Sequence, residues 1–270
     1  MKTFSRSSRQ VGVLIFMMAA FALSAQAAGF SNASLRGGYS FLIDRWTADV
    51  STDQFAMVGV MNFNGAGKVN GSYTSISANV VASGPLGGTY SVSSTGSGSI
   101  DLTTGSSAQF AITLNSTVSG VAHGVQLLET NDNSNEVISG TAVLQSTTLM
   151  TYNAASLNGN FALLGNTWTD DPSLAEDGDI GVFTFDGKGH LKATVSSMFA
   201  GTLYTNTVNG TYTVSSSGTG TLTIISNNSP KFAFTLNSVT AGLAGGLQLL
   251  ATNPGNGGGN YAIAGAAVKQ

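Results

Sequence analysis

Five carboxylates crowd into the stretch TDDPSLAEDGD: Asp170, Asp171, Glu176, Asp177 and Asp179. Hard oxygen donors at that density are the chemistry of a calcium loop, because Ca2+ takes its oxygens from a flexible segment. Crowded carboxylates also raise one another's pKa. The same stretch equally fits a solvated acidic loop, and its counterpart TADVSTDQFAM holds only Asp49 and Asp53. Trp46 in RWTAD and Trp168 in TWTDD set an indole beside an acid. Such a pair can contact a ligand by stacking on a sugar or capping a cavity, or it can plug one end of a barrel.

A Gly-x-Gly motif in NFNGAGKV (62–69) returns in TFDGKGHL (184–191). A phosphate cradle needs a helix after the glycines so that backbone N–H groups and the helix dipole meet the anion. Here KVNGSYTSI follows, which alternates like a strand. A calcium loop needs oxygens at alternate positions, and only Asn62 and Asn64, or Thr184 and Asp186, supply them. Asn64-Gly65 and Asp186-Gly187 therefore read as Asx-Gly hairpin turns, with Gly67 and Gly189 at positive φ or in a bulge.

Other catalytic sets do not assemble from the sequence. The chain has no cysteine, so thiolate metal sites and cysteine nucleophiles are excluded. His123 and His190 lack a neighbour at metal-ligand spacing and read as surface residues. No serine sits in a G-x-S-x-G elbow. Asp44, Asp101 and Glu129 face Asn166, Thr223 and Ala251 in the other half of the chain, and Glu136 faces a displaced loop, so no acid pair recurs for glycoside hydrolysis. Enzyme activity is not the expectation.

These residues sit on a duplicated frame. Shifting the sequence by 122 aligns 34–131 with 156–253 without a gap, and 38 of the 98 positions are identical. GTYSVSSTGSG matches GTYTVSSSGTG, FAITLNS matches FAFTLNS, and GVQLLETN matches GLQLLATN. The expected units are repeat 1 at 30–146, a linker at 147–155 and repeat 2 at 156–270. Within each unit the apolar period is two, as for Phe110, Ile112 and Leu114. Eight strands per copy are predicted, near 35–43, 55–63, 68–76, 79–92, 98–103, 109–115, 124–130 and 137–145, and again from 157. The fourth carries a Gly-Pro break and reads as two short strands or one long bulged one. Tyr39, Phe41, Phe63, Tyr90 and Phe110, with Phe161, Phe185, Tyr212 and Phe232, are the predicted core.

Eight short-connected strands predict an all-β chain of two tandem antiparallel eight-stranded meander barrels, with two β-sandwiches as the alternative. The stretch RGGYSFLI…FNGAGKVNGSYTS resembles the opening of avidin-type barrels in the calycin group, which implies that same closed meander. Tyr39 and Phe161 stand where the avidin pattern has tryptophan, and no biotin-site residue carries over. Over its whole length the pattern resembles tandem repeats of uncharacterised secreted bacterial proteins.

The N-terminus reads as a secretory signal peptide over 1–27. Lys2, Arg6 and Arg9 precede an apolar run over 11–23 and then Ala25-Gln26-Ala27. The run is too short to span a bilayer, so the mature form has no expected membrane span. Export to the periplasm or beyond follows, with cleavage near Ala27. After cleavage thirteen carboxylates face seven Lys and Arg, a net charge of −6. That balance excludes nucleic acid as a partner. Only 9% of residues are charged, which suits a polar extracellular surface.

Together these features predict a non-catalytic extracytoplasmic tandem β-domain protein with a structural or surface and matrix interaction role. Its expected partner is a cell-surface component or an unidentified small ligand. The alternatives are a carrier of a small apolar ligand in the barrel interior, and an isomerase or cyclase acting on a lipid-like substrate. No cofactor is expected beyond possible calcium on the acidic loop.

Overall fold

Alternation of apolar and polar residues gives each strand an inner and an outer face, and closure removes the unpaired edges that an open sheet would expose. The computed structural model describes residues 29–46, 55–131, 137–147, 150–169, 177–199, 201–226, 229–253 and 261–270. The first repeat supplies β1 (Arg36–Trp46), β2 (Phe55–Asn64), β3 (Lys68–Ser77), β4 (Val80–Val92), β5 (Ser97–Thr104), β6 (Gln109–Val118), β7 (Val121–Glu129) and β8 (Val137–Leu144). The second supplies β9 (Asn158–Thr169), β10 (Asp177–Asp186), β11 (His190–Phe199), β12 (Thr202–Val214), β13 (Thr219–Ile225), β14 (Lys231–Asn237), β15 (Gly246–Asn253) and β16 (Tyr261–Lys269). Each set forms a closed antiparallel barrel in chain order, sealed by β1 against β8 and by β9 against β16. Closure excludes the sandwich alternative, because a sandwich would leave these strand pairs in two separate sheets.

The fourth strand is one element rather than two. β4 runs for 13 residues and absorbs its break as a register shift between Gly87 and Gly88. Its first half joins β3 through Ala78 and Asn79, both at positive φ, the signature of a tight hairpin.

Side chains fill the middle of both barrels. An edge-to-face stack of Tyr39, Phe63 and Tyr90 crosses barrel 1, with ring centroids 5.4 and 5.0 Å apart. Phe161, Phe185 and Tyr212 repeat it in barrel 2 at 5.4 and 5.1 Å. Phe41, Ile100 and Phe110 complete one interior, and Phe183, Leu222 and Phe234 the other. Phe232, read as core, is only half-buried at the rim of this cluster, whereas Phe234 is fully buried. Gly59 lets the Phe41 ring fill the wall, since a Cβ there would sit 2.6 Å from the ring and 2.2 Å from the Ser72 carbonyl oxygen.

One end of each barrel is stopped by a single 3₁₀ turn, Asn32–Ser34 or Ala154–Ser156. The Tyr90 hydroxyl donates to the Leu35 carbonyl at 2.7 Å, and Tyr212 does the same to Leu157 at 2.8 Å. Leu35 and Leu157 are wholly buried beneath these turns. Tyr152, from the segment expected to be a linker, is buried in the core of barrel 2.

The barrels pack side against side. Ala56, Val58 and Ile76 on the outer face of β2 and β3 form one buried cluster with Ala233, Leu250 and Ala264 on β14, β15 and β16. A polar chain threads this contact. Gln248 Nε2 donates to Thr141 Oγ1 at 3.2 Å, the Ser40 hydroxyl donates to Gln248 Oε1 at 2.6 Å, and Ser40 meets Thr235 Oγ1 at 2.5 Å. Gln145 Nε2 donates to the Leu236 carbonyl at 3.1 Å, and the Ser238 N–H donates to the Leu144 carbonyl at 2.9 Å. Ser40, Thr235, Gln145 and Gln248 thus each have a hydrogen-bond partner where the contact buries them.

Candidate functional site

The Gly-x-Gly segments are hairpin turns built by their Asx residues. Asn64 Oδ1 accepts from the Ala66 and Lys68 N–H groups at 2.8 and 3.0 Å. Asp186 Oδ1 accepts from Lys188 and His190 at 2.7 and 3.0 Å. Gly67 and Gly189 lie at φ 93° and 103°, a region that disfavours residues with a Cβ. The turn amides are spent on these side chains and none points to a ligand. His190 Nδ1 lies 3.1 Å from Asp186 Oδ2. Backbone N–H donors from His190 and Lys188 hold the Asp186 carboxyl below its ordinary pKa, with His190's side chain adding to this.

Of the five acidic residues read as a possible calcium loop, Asp170, Asp171 and Glu176 lie outside the described residues. Asp177 opens β10 opposite Thr167. Asp179 falls on the same strand face as Phe183 and Phe185, hence toward the interior of barrel 2, and Ser197 donates a hydrogen bond to its Oδ1. Its counterpart in barrel 1 is Met57, which is buried in the core. Among the described residues no three His, Asp or Glu side chains gather at metal-binding distance. Trp46 ends β1 opposite Val137, and Trp168 lies in β9 opposite Ala262. Both are at the far end of their barrels from the 3₁₀ turns.

A groove of about 600 Å³ lies beside the contact between the barrels. Arg36, Asn62, His123 and Gln145 come from the first repeat, Tyr152 from the connection, and Ser216 and Ser217 from the β12–β13 turn. Leu144, Val118, Val121 and Met150 give it an apolar floor. No carboxylate lines it, so its one cation, Arg36, sets the charge. His123 on β7 is half-buried rather than on the open surface, and its Nε2 is buried without a hydrogen-bond partner. The residues matching Arg36 and His123 in the second repeat are Asn158 and Gly245, so these two groups belong to this groove alone. Apolar walls with a few converging polar groups between two units are the usual form of a small-ligand site.

A second recess of about 490 Å³ opens at the Trp46 end of barrel 1. Ile43, Met57 and Phe110 floor it, and Arg45 and Glu129 stand at its rim. The Arg45 guanidinium lies over the Phe55 ring, 5.3 Å from its centroid.

Sequence reasoning missed the groove because its residues lie far apart along the chain and meet only through barrel packing. It also missed the barrel contact, although a signal was present. FAMVGVM in β2 is apolar at consecutive positions, which marks a strand covered on both faces.

No family model matches the chain, and no curated protein matches it. Among solved structures, kievitone hydratase from Nectria haematococca aligns at 9% identity over 92% of this chain and 94% of that one, with a TM-score of 0.28. A protein of unknown function from the DUF3598 family of Nostoc punctiforme aligns at 11% identity over 87% and 96%, also at 0.28. A porin-like protein from Bacteroides uniformis aligns at 9% identity over 88% and 99%, at 0.24. At scores this low the chain takes no chemistry from any of them.

Proposed function

We propose that the mature chain is a non-catalytic extracytoplasmic module whose role is structural or a contact with a cell surface or matrix. The observation that carries this reading is the packed middle of both barrels. Tyr39, Phe41 and Phe110 in one, and Phe161, Phe185 and Phe234 in the other, are fully buried where a carrier or a barrel enzyme would keep its chamber. The outer strand positions support it further, as in β5, where Ser97, Ser99 and Asp101 are exposed and Ile100 and Leu102 point inward. That alternation is the reverse of a membrane-spanning barrel, which is apolar outside.

The test is fractionation of the native host with terminal sequencing. The expected result is protein outside the cytoplasm that begins near Ala28, retained with envelope or matrix material and without turnover of added substrates. Cytoplasmic protein that keeps Met1, or a reproducible turnover by the pure chain, would overturn the reading. Calcium titration by calorimetry addresses the acidic loop separately. Heat saturating at a stoichiometry of one would assign it a cation, and no heat at millimolar calcium would remove that role.

A second reading, carriage of a small apolar ligand, draws on the groove between the barrels rather than on the barrel interiors. Its support is the unpartnered His123 Nε2 above an apolar floor.

A further inference from the structure

The contact inside the chain joins two different faces of one repeated unit. Barrel 1 contributes its β1–β2–β3 face and barrel 2 its β14–β15–β16 face. Because the barrels are copies, each owns the face that the other has used. The β9–β10–β11 face of barrel 2 therefore remains outside the contact, and so do β6 and β7 of barrel 1, whose neighbour β8 reaches it through Thr141.

The remaining faces keep the larger apolar docking residues, whereas Ser40, Ala56, Thr141 and Ala264 are matched by Ala162, Gly178, Ala266 and Ser139. On barrel 2, Leu42, Val58 and Ile76 become Leu164, Ile180 and Met198. Val58 and Ile76 are 2% and 1% exposed, whereas Ile180 and Met198 are 58% and 46% exposed, and Leu164 is 59% exposed. Leu164 pairs across the strands with Ile180, and Met198 with the exposed Leu203, so two apolar pairs stand on this face. On barrel 1, Ala111, Thr113, Gln126 and Leu128 are identical to Ala233, Thr235, Gln248 and Leu250. Leu250 is wholly buried while Leu128 is 47% exposed, and Gln248 is 3% exposed while Gln126 is open.

We infer that a second copy of this chain occupies these faces, with the β9–β10–β11 face of one molecule docking on the β6–β7 face of the next. The chain's own internal contact is the template, and the partner is chosen because it presents the counterparts of the apolar residues already seen to pack. Closed barrels have no strand edge to share, so joining must be face to face. The pairing is heterologous and propagates into a ring or an open filament unless rotation closes it early. The linker gives the internal contact a high effective concentration, so it forms first and the external one requires higher protein concentration. The inference goes beyond the proposed role and does not depend on it.

Sedimentation velocity on the mature chain from about 1 μM to about 1 mM tests it, over the range where weak contacts saturate. Mass should rise with concentration beyond one chain. Leu164→Asp and Leu128→Asp should each abolish the rise, with circular dichroism and melting unchanged because both side chains are exposed. A mixture of the two variants should restore one contact and stop at two chains, since each keeps the face the other has lost. A wild type of constant single-chain mass overturns the inference. So does association that survives both substitutions, or a mixture that stays monomeric.

Discussion

Gln248 and Gln126 are the same residue at the same strand position of the two copies, and only Gln248 lies in the barrel contact. Replacing Gln248 by alanine removes the acceptor of the Ser40 hydroxyl and the donor to Thr141. Two such bonds contribute about 1 kcal/mol each, and the cavity left in a site that is 3% exposed adds about 1 kcal/mol. Ser40 can turn toward the Thr235 carbonyl at 3.4 Å, which lowers the upper bound. The expected loss for Gln248→Ala is about 2–4 kcal/mol, against less than about 0.5 kcal/mol for Gln126→Ala at an exposed position. Urea unfolding at low micromolar concentration measures both, with circular dichroism and the fluorescence of Trp46 and Trp168 as probes, one tryptophan on each barrel. Equal effects of the two substitutions, or a larger loss at Gln126, would refute the reasoning.

Three further outcomes follow from the barrels themselves. Gly67→Val or Gly189→Val forces a β-branched residue to positive φ at a cost of about 1–3 kcal/mol, so a thermal melt should drop by about 2–4 °C per kcal/mol. Ala66→Val in the same turn should leave the melt unchanged, because Ala66 is exposed and not at positive φ. Burial, with smaller help from the neighbouring Tyr90, raises the Tyr39 pKa above the ordinary tyrosine value, and burial likewise raises those of Tyr90 and Tyr212. A raised folded-state pKa gives stability that is complete below about pH 10 and is lost as pH climbs toward the folded value. Absorbance at 295 nm should therefore show these phenols ionising together with unfolding, and Tyr39→Phe, the residue that Phe161 already provides, should soften the alkaline loss.

The duplication and the strand pattern were readable because a barrel is mostly local hairpins. Asn64-Gly65 and Asp186-Gly187 announced their turns, and Phe110, Ile112 and Leu114 announced an inner face. Gly84-Pro85 read as a break, yet β4 pairs with β3 straight through it and shifts register only at Gly87 and Gly88, against β5. The barrel contact was less legible. Ser40, Thr235 and Gln248 are ordinary polar residues until three strands from two barrels bring them together. His123 gave no signal at all, since its isolation in the sequence says nothing of the groove beside which packing places it.

Native mass spectrometry of the protein purified from its own host tests the central claim most directly. The account predicts a polypeptide beginning near Ala28 whose barrels release no bound small molecule, because their own side chains fill the middle of each. A stoichiometric ligand retained by a barrel interior, and lost when the chain unfolds, would contradict it.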